Sequence, residues 1–114
     1  MRSRLGALQY GIIILTIITA LIHLGLGFAF IPDFLGIAFI LNGITYLLLL
    51  AGLYFVPQLA ERRGLIRWLL LAFTAVTFVL YFVFNWPDIW GLAGLFDKAV
   101  ELLLIILLIL DRGN

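Results

Sequence analysis

Asp97, Lys98 and Glu101 stand together in a stretch that is otherwise almost wholly apolar. Two carboxylates and an ammonium are groups that bind ions and polar solutes or pass protons. Spacings of four (Asp97 and Glu101) and three (Lys98 and Glu101) let both pairs touch on one helix. A charge at the centre of a membrane helix costs roughly 2.5–3.5 kcal/mol on insertion scales, so three facing lipid would cost on the order of 8–10. These side chains are therefore expected to be buried against protein or used in a site. The simplest arrangement has Lys98 bridging to Glu101 and Asp97 paired to a donor on another helix, such as His23 or Asn42.

The surroundings decide that the solvent is lipid. Of the 114 residues, 66% are hydrophobic and 11% charged, whereas a soluble domain carries about 25% charged residues. Four apolar segments, residues 5–31, 35–56, 65–84 and 89–110, are each near or above the roughly 20 residues that cross a 30 Å hydrocarbon core. Short breaks separate them: Pro32-Asp33, residues 57–64, and Asn85-Trp86-Pro87-Asp88, with Asp88 placed to cap a helix entered at Ile89. Such connections predict an all-α fold, one transmembrane domain over residues 1–114 built as an antiparallel four-helix bundle. Arg2 and Arg4 before the first apolar run imitate a secretory signal, but no Ala-x-Ala-type site follows, so an uncleaved first helix is expected.

Arg2, Arg4, Arg62, Arg63, Arg67 and Arg112 fall on one side, while the opposite loops hold Asp33 and Asp88. The positive-inside rule then places both termini in the cytoplasm of a multi-pass protein of the cell (inner or plasma) membrane. Trp86 and Trp90 mark the outer interface and Trp68 the inner one. Glycines are spread through the first two segments without a Gly-x-x-x-Gly pair, which predicts ordinary close packing rather than a dedicated dimer face.

Depth follows from the rise of about 1.5 Å per residue, which puts Glu101 near the midplane and Asp97 about 21 Å from the inner face. His23 lies near the outer boundary. Asn42 and Tyr46 on the second helix, and Thr77 and Tyr81 on the third, share faces at a spacing of four in the outer half. The polar residues of all four helices thus converge on the outer leaflet, above an inner half that is nearly all Leu, Ile, Ala and Phe. An alternative has Asp97 capping a helix that begins there, which leaves about 20 Å of helix, too short to span without thinning the bilayer.

Absences narrow the chemistry. Without cysteine there is no disulfide, thiolate metal site or thiol catalysis, and one histidine excludes multi-histidine sites within one chain. No phosphate loop, nucleotide fingerprint or nucleophile elbow appears. No catalytic residue, cofactor or metal is expected, and a net charge of +1 gives no reason to expect nucleic acid.

His23-Leu24-Gly25-x-Gly27, Leu41-Asn42-Gly43-x-x-Tyr46, Arg63 through Arg67-Trp68 and Asp97-Lys98-x-x-Glu101 together resemble a group of small, uncharacterised four-helix prokaryotic integral membrane proteins. The general layout is also loosely similar to DoxX-like membrane proteins. The resemblance implies the fold and no particular activity.

The leading expectation is a small homo-oligomeric membrane protein with an outer-leaflet polar pocket or pathway for a small solute, ion or proton. Glu101 and Asp97 would carry charge, Lys98 would be their counter-ion, and His23, Asn42, Tyr46, Thr77 and Tyr81 would line the site. The competing expectation is a structural or accessory subunit of a larger membrane complex. A weaker third is an enzyme acting on a lipid or quinone.

Overall fold

In a computed structural model that describes residues 5–111, most of these residues are helical and none forms a strand. The helices are α1 (Ala7–Phe30), α2 (Phe34–Tyr54), α3 (Arg63–Asn85) and α4 (Leu92–Leu110), with a 3-10 turn at Pro57–Arg62 leading into α3. Arg2, Arg4 and Arg112, used above to orient the chain, lie outside the described residues.

The first three segments begin and end within about two residues of their expected bounds; the fourth does not. Asp88 caps nothing, and α4 starts at Leu92 after Gly91. The reason is that Ile89 is needed elsewhere. Its side chain is buried, and its carbonyl accepts the Tyr81 hydroxyl at 2.8 Å, so the strap from Trp86 to Gly91 closes over the helix ends before α4 can begin. Nineteen residues remain in α4, about 28 Å of helix, enough to match the hydrocarbon core. Asp97 sits in its second turn and is not a cap.

α1 packs on α2 and α4, and α3 packs on the same two helices. Ile12, Ala20, Tyr46, Leu53, Leu70, Leu104 and Leu108 are fully buried between them. Many other large apolar side chains point outward, Phe34, Phe84 and Leu92 among the most exposed. A water-soluble monomer rarely shows so extensive an apolar surface. Three helical spans, α1, α2 and α3 with its leading turn, are long and apolar enough to cross a membrane. α4 differs in carrying three ionisable groups.

The closest approach is between α1 and α2, and glycine makes it possible. A Cβ on Gly27 would lie 2.4 Å from Ile40 Cγ1 and 2.8 Å from the Gly36 carbonyl. One on Gly36 would lie 2.5 Å from the Ile31 nitrogen, and one on Gly43 2.8 Å from the Ala20 carbonyl. In lipid, such contact replaces the hydrophobic drive that helix association has in water. The expected role of these glycines, packing within the chain, is what the structure shows.

Polar clasps hold the end that carries the arginines. Asp111, nearly fully buried, accepts the Tyr54 hydroxyl at 2.7 Å and the Gln9 amide at 3.4 Å. Arg67 donates to the Leu108 carbonyl and Arg63 to the Leu53 carbonyl, each at 2.8 Å. These bonds tie α1, α2 and α3 to the last turn of α4 or to one another, satisfying carbonyls that a helix C-terminus leaves free.

Replacing Gly36 by alanine is expected to destabilise the protein by about 1–3 kcal/mol, because backbone must move to admit the methyl group. A Cβ on Gly25 meets nothing within 4 Å, so Gly25→Ala should stay within about 0.5 kcal/mol of wild type. Unfolding by titration of SDS into mild-detergent micelles compares the two, and equal midpoints would remove the close α1–α2 contact.

Candidate functional site

Thr19 and His23 occupy successive turns of one face of α1, and Asp97, Lys98 and Glu101 occupy the facing turns of α4. All five are buried, none more than 5% exposed, and Glu101 and Thr19 are fully enclosed. The trio is therefore hidden from lipid by protein, as the cost of exposure demands.

Thr19 stands at the centre of the arrangement. Its hydroxyl donates to Asp97 Oδ1 at 2.7 Å and lies 3.1 Å from Glu101 Oε2. Its carbonyl oxygen is 2.8 Å from His23 Nδ1. A carbonyl can only accept, so Nδ1 carries a proton and donates it. Nε2 then faces the two carboxylates, 3.7 Å from Asp97 Oδ2 and 3.9 Å from Glu101 Oε2, beyond hydrogen-bond length. Lys98 pairs with the other oxygen of Glu101, Oε1, and its Nζ lies 3.7 Å from Asp97 Oδ2.

Aromatic rings complete the shell. The Lys98 ammonium lies 5.0 Å from the centre of the Tyr81 ring and 6.0 Å from that of Phe78, within range for cation–π attraction. Tyr81 can lie there because position 94 is glycine: a Cβ would come within 2.3 Å of the Tyr81 hydroxyl. His23 packs edge-on to Phe39 and tilted against Tyr46, which is itself fully buried and lies 4.8 Å from Phe73.

A cavity of about 450 Å³ begins at the helix ends joined by residues 31–33 and 86–91 and runs down to this cluster. Phe30, Leu35 and Phe84 line its upper part, and His23, Asp97 and Lys98 its floor. Asn42 and Thr77 lie on its wall, joined by a 3.1 Å hydrogen bond from the Asn42 amide to the Thr77 hydroxyl, and Tyr81 lines it as well. Glu101 and Tyr46 do not reach the cavity; they lie behind its floor.

Of the residues singled out in the sequence, Asp97, Lys98, Glu101 and His23 form one contact group, with Lys98 bridging to Glu101 as expected. The donor from another helix that bonds Asp97 is Thr19 rather than His23 or Asn42: His23 Nε2 stops 3.7 Å from Asp97 Oδ2, and Asn42 bonds to Thr77. Thr19 was not foreseen. Threonines are common inside membrane helices as local back-bonders, and Thr16 and Thr74 do bond their own helices in that way. The one available signal was the spacing of four between Thr19 and His23, which puts both on one face.

No protein-family model matches this chain, and neither the curated proteins nor the solved structures contain a significant match to it.

Thr19→Val keeps the shape but removes the donor to a buried carboxylate, and should cost roughly 1–3 kcal/mol of stability. Thr19→Ser keeps the hydroxyl and should recover most of that loss. Thermal unfolding in detergent measures both, and a valine variant as stable as wild type would contradict the central place given to this hydroxyl.

Proposed function

We propose that the chain is a multi-pass protein of the cell membrane whose four helices form an antiparallel bundle with both termini in the cytoplasm. It binds a small, largely apolar solute from the outer face, and a polar group of that solute meets the charged floor of the cavity.

Several observations support the topology. Along α1 and α2, Gly27 meets Gly36 while Ala20 meets Gly43, so position rises on one helix as it falls on the other. Thr19 with Glu101, and Gln9 with Asp111, repeat the pattern between α1 and α4. Arg62, Arg63 and Arg67 stand at the end opposite Asp33 and Asp88, in agreement with the positive-inside rule. Trp86 and Trp90 are exposed at the other end, where an interfacial belt would place them.

The observation that carries the functional reading is the cavity that ends on Asp97, Lys98 and His23. Its volume is within the few hundred cubic ångströms of small-ligand sites, and its make-up, apolar walls with a few convergent polar groups, is that of such sites. Below the floor, Ile12, Leu53, Leu70, Leu104 and Leu108 fill the inner half. That plug favours binding over open conduction through one copy.

The absence of native cysteine makes a direct test possible. A cysteine at Ala38, on the cavity wall, should react with a membrane-impermeant maleimide added outside intact cells. One at Gln58, in the 3-10 turn, should react only after the cells are permeabilised. Protein extracted in mild detergent should release a small molecule on denaturation, seen by mass spectrometry, that an Ala38→Trp variant with its cavity filled does not carry. Labelling of Ala38→Cys only from the inside would reverse the topology, and no molecule above the level of the filled variant would end the binding reading.

A further inference from the structure

We propose that His23 Nε2, Asp97 Oδ2 and Glu101 Oε2 bind one divalent first-row transition-metal ion, with the fourth coordination position facing the cavity. This goes beyond the solute-binding reading and stands without it.

The argument starts from lone pairs. Because His23 Nδ1 donates to the Thr19 carbonyl at 2.8 Å, neutral His23 turns an unprotonated Nε2 toward the carboxylates. One donor atom from each of the three residues, on two helices, then lies within 4.8 Å of the others, buried at and just behind the floor of the cavity. Like partial charges gathered in a low dielectric repel unless a cation is shared among them. With both carboxyls ionised, one ammonium balances one of the two negative charges and leaves the other for an ion.

The distances suit a metal. Donors about 2.1 Å from a tetrahedral ion are about 3.4 Å apart, and the separations from Nε2 are 3.7 and 3.9 Å. Each donor is also held from behind, as metal ligands are. The Thr19 carbonyl holds His23 Nδ1, the Thr19 hydroxyl holds Asp97 Oδ1, and Lys98 holds Glu101 Oε1. Each carboxylate thereby has one oxygen held firmly on protein and the other turned toward the histidine. There Glu101 Oε2 lies 3.1 Å from the Thr19 hydroxyl and Asp97 Oδ2 3.7 Å from Lys98 Nζ, contacts that an ion would compete with.

The ligand set selects the class of ion. One imidazole nitrogen with two carboxylate oxygens suits Zn²⁺, Mn²⁺, Fe²⁺ or Co²⁺, while Mg²⁺ and Ca²⁺ favour all-oxygen sets. Lys98 shapes what completes the shell. With a divalent ion the cluster carries one net positive charge, so the fourth ligand is an anionic oxygen, from hydroxide or from an acidic group of a molecule in the cavity. Three protein ligands with an accessible fourth position is the arrangement of a site that meets a substrate. The sequence inventory excluded cysteine and multi-histidine sites, and the mixed set was hidden because its members lie on the first and last helices.

The test uses the full chain without a histidine tag, so that His23 is the one imidazole present. Metal-free protein in detergent is titrated with Co²⁺, and the visible absorption is followed; Zn²⁺ binding is measured by equilibrium dialysis. One ion per chain is expected, with a Co²⁺ spectrum of low coordination number that Zn²⁺ displaces and Mg²⁺ and Ca²⁺ do not. His23→Gln and Asp97→Asn should each weaken Zn²⁺ binding by at least about tenfold. Should either variant fail to fold, the wild-type melting temperature still decides, because Zn²⁺ should raise it and Mg²⁺ should not. Stoichiometry well below one, binding unchanged by His23→Gln in folded protein, or a melting temperature indifferent to Zn²⁺ would each overturn the proposal and leave a shared proton as the occupant.

Discussion

Burying two carboxylates and an ammonium away from water is the demand that the rest of the structure answers. Removing each charge from water costs several kcal/mol, recovered only when partners are close and well aimed. Here the partners come from two directions. Lys98, on the same helix, meets Glu101 one turn on, and α1 brings the Thr19 hydroxyl within 2.7 Å of Asp97. An ion pair within one helix could have turned to lipid with its helix; the bond to Thr19 fixes which face of α4 looks inward. The charged cluster thus acts as a register mark between the first and last helices, a role for buried polar groups better attested than added stability.

Once α4 is fixed by charge, the other contacts can be small and local. α1 and α2 meet through glycine and need no polar bond at their crossing, since Gly27, Gly36 and Gly43 let backbone touch backbone. α3 is held to α4 by a different device: Tyr81 crosses Gly94, offers its ring to the Lys98 ammonium and its hydroxyl to the Ile89 carbonyl. That one side chain joins the cluster to the strap that closes the cavity end. The bonds of Asp111, Tyr54 and Gln9 secure the opposite end. Polar interactions therefore sit in two layers, with apolar packing between them.

Much of this could be read from the sequence, because lipid leaves few choices. An 18-residue apolar run in a membrane is a helix, so all four helices, the three connections and the burial of Asp97, Lys98 and Glu101 followed from composition and spacing. The boundary of α4 did not. Its start depends on where Tyr81 finds an acceptor, a contact with another helix that no local capping rule contains. The same limit applies to Thr19. A threonine alone in an apolar helix reads as a helix back-bonder, and only the approach of α4 turns its hydroxyl into the partner of a carboxylate. His23 was legible as polar, yet its tautomer depends on a carbonyl one turn earlier in its own helix. Asn42 illustrates the reverse error: depth placed it level with Asp97, and its hydrogen bond went to the nearer helix, α3.

The division of the molecule into a cavity above the cluster and a plug below it also follows from the charges. Side chains that must be solvated or paired cannot lie against leucine on every side, and the half of the bundle nearer residues 31–33 and 86–91 supplies Asn42, Thr77 and Tyr81 at their level. That half holds an open volume where the half carrying the arginines holds fully buried leucines. Glu101 lies at the boundary, fully enclosed and one turn below Asp97, so whatever enters from above meets Asp97, Lys98 and His23 first. Glu101 then works through its neighbours: it anchors Lys98 with one oxygen and offers the other to the space beneath His23. A substitution there would alter the groups behind the cavity floor, Lys98 above all, without changing the residues that line the cavity.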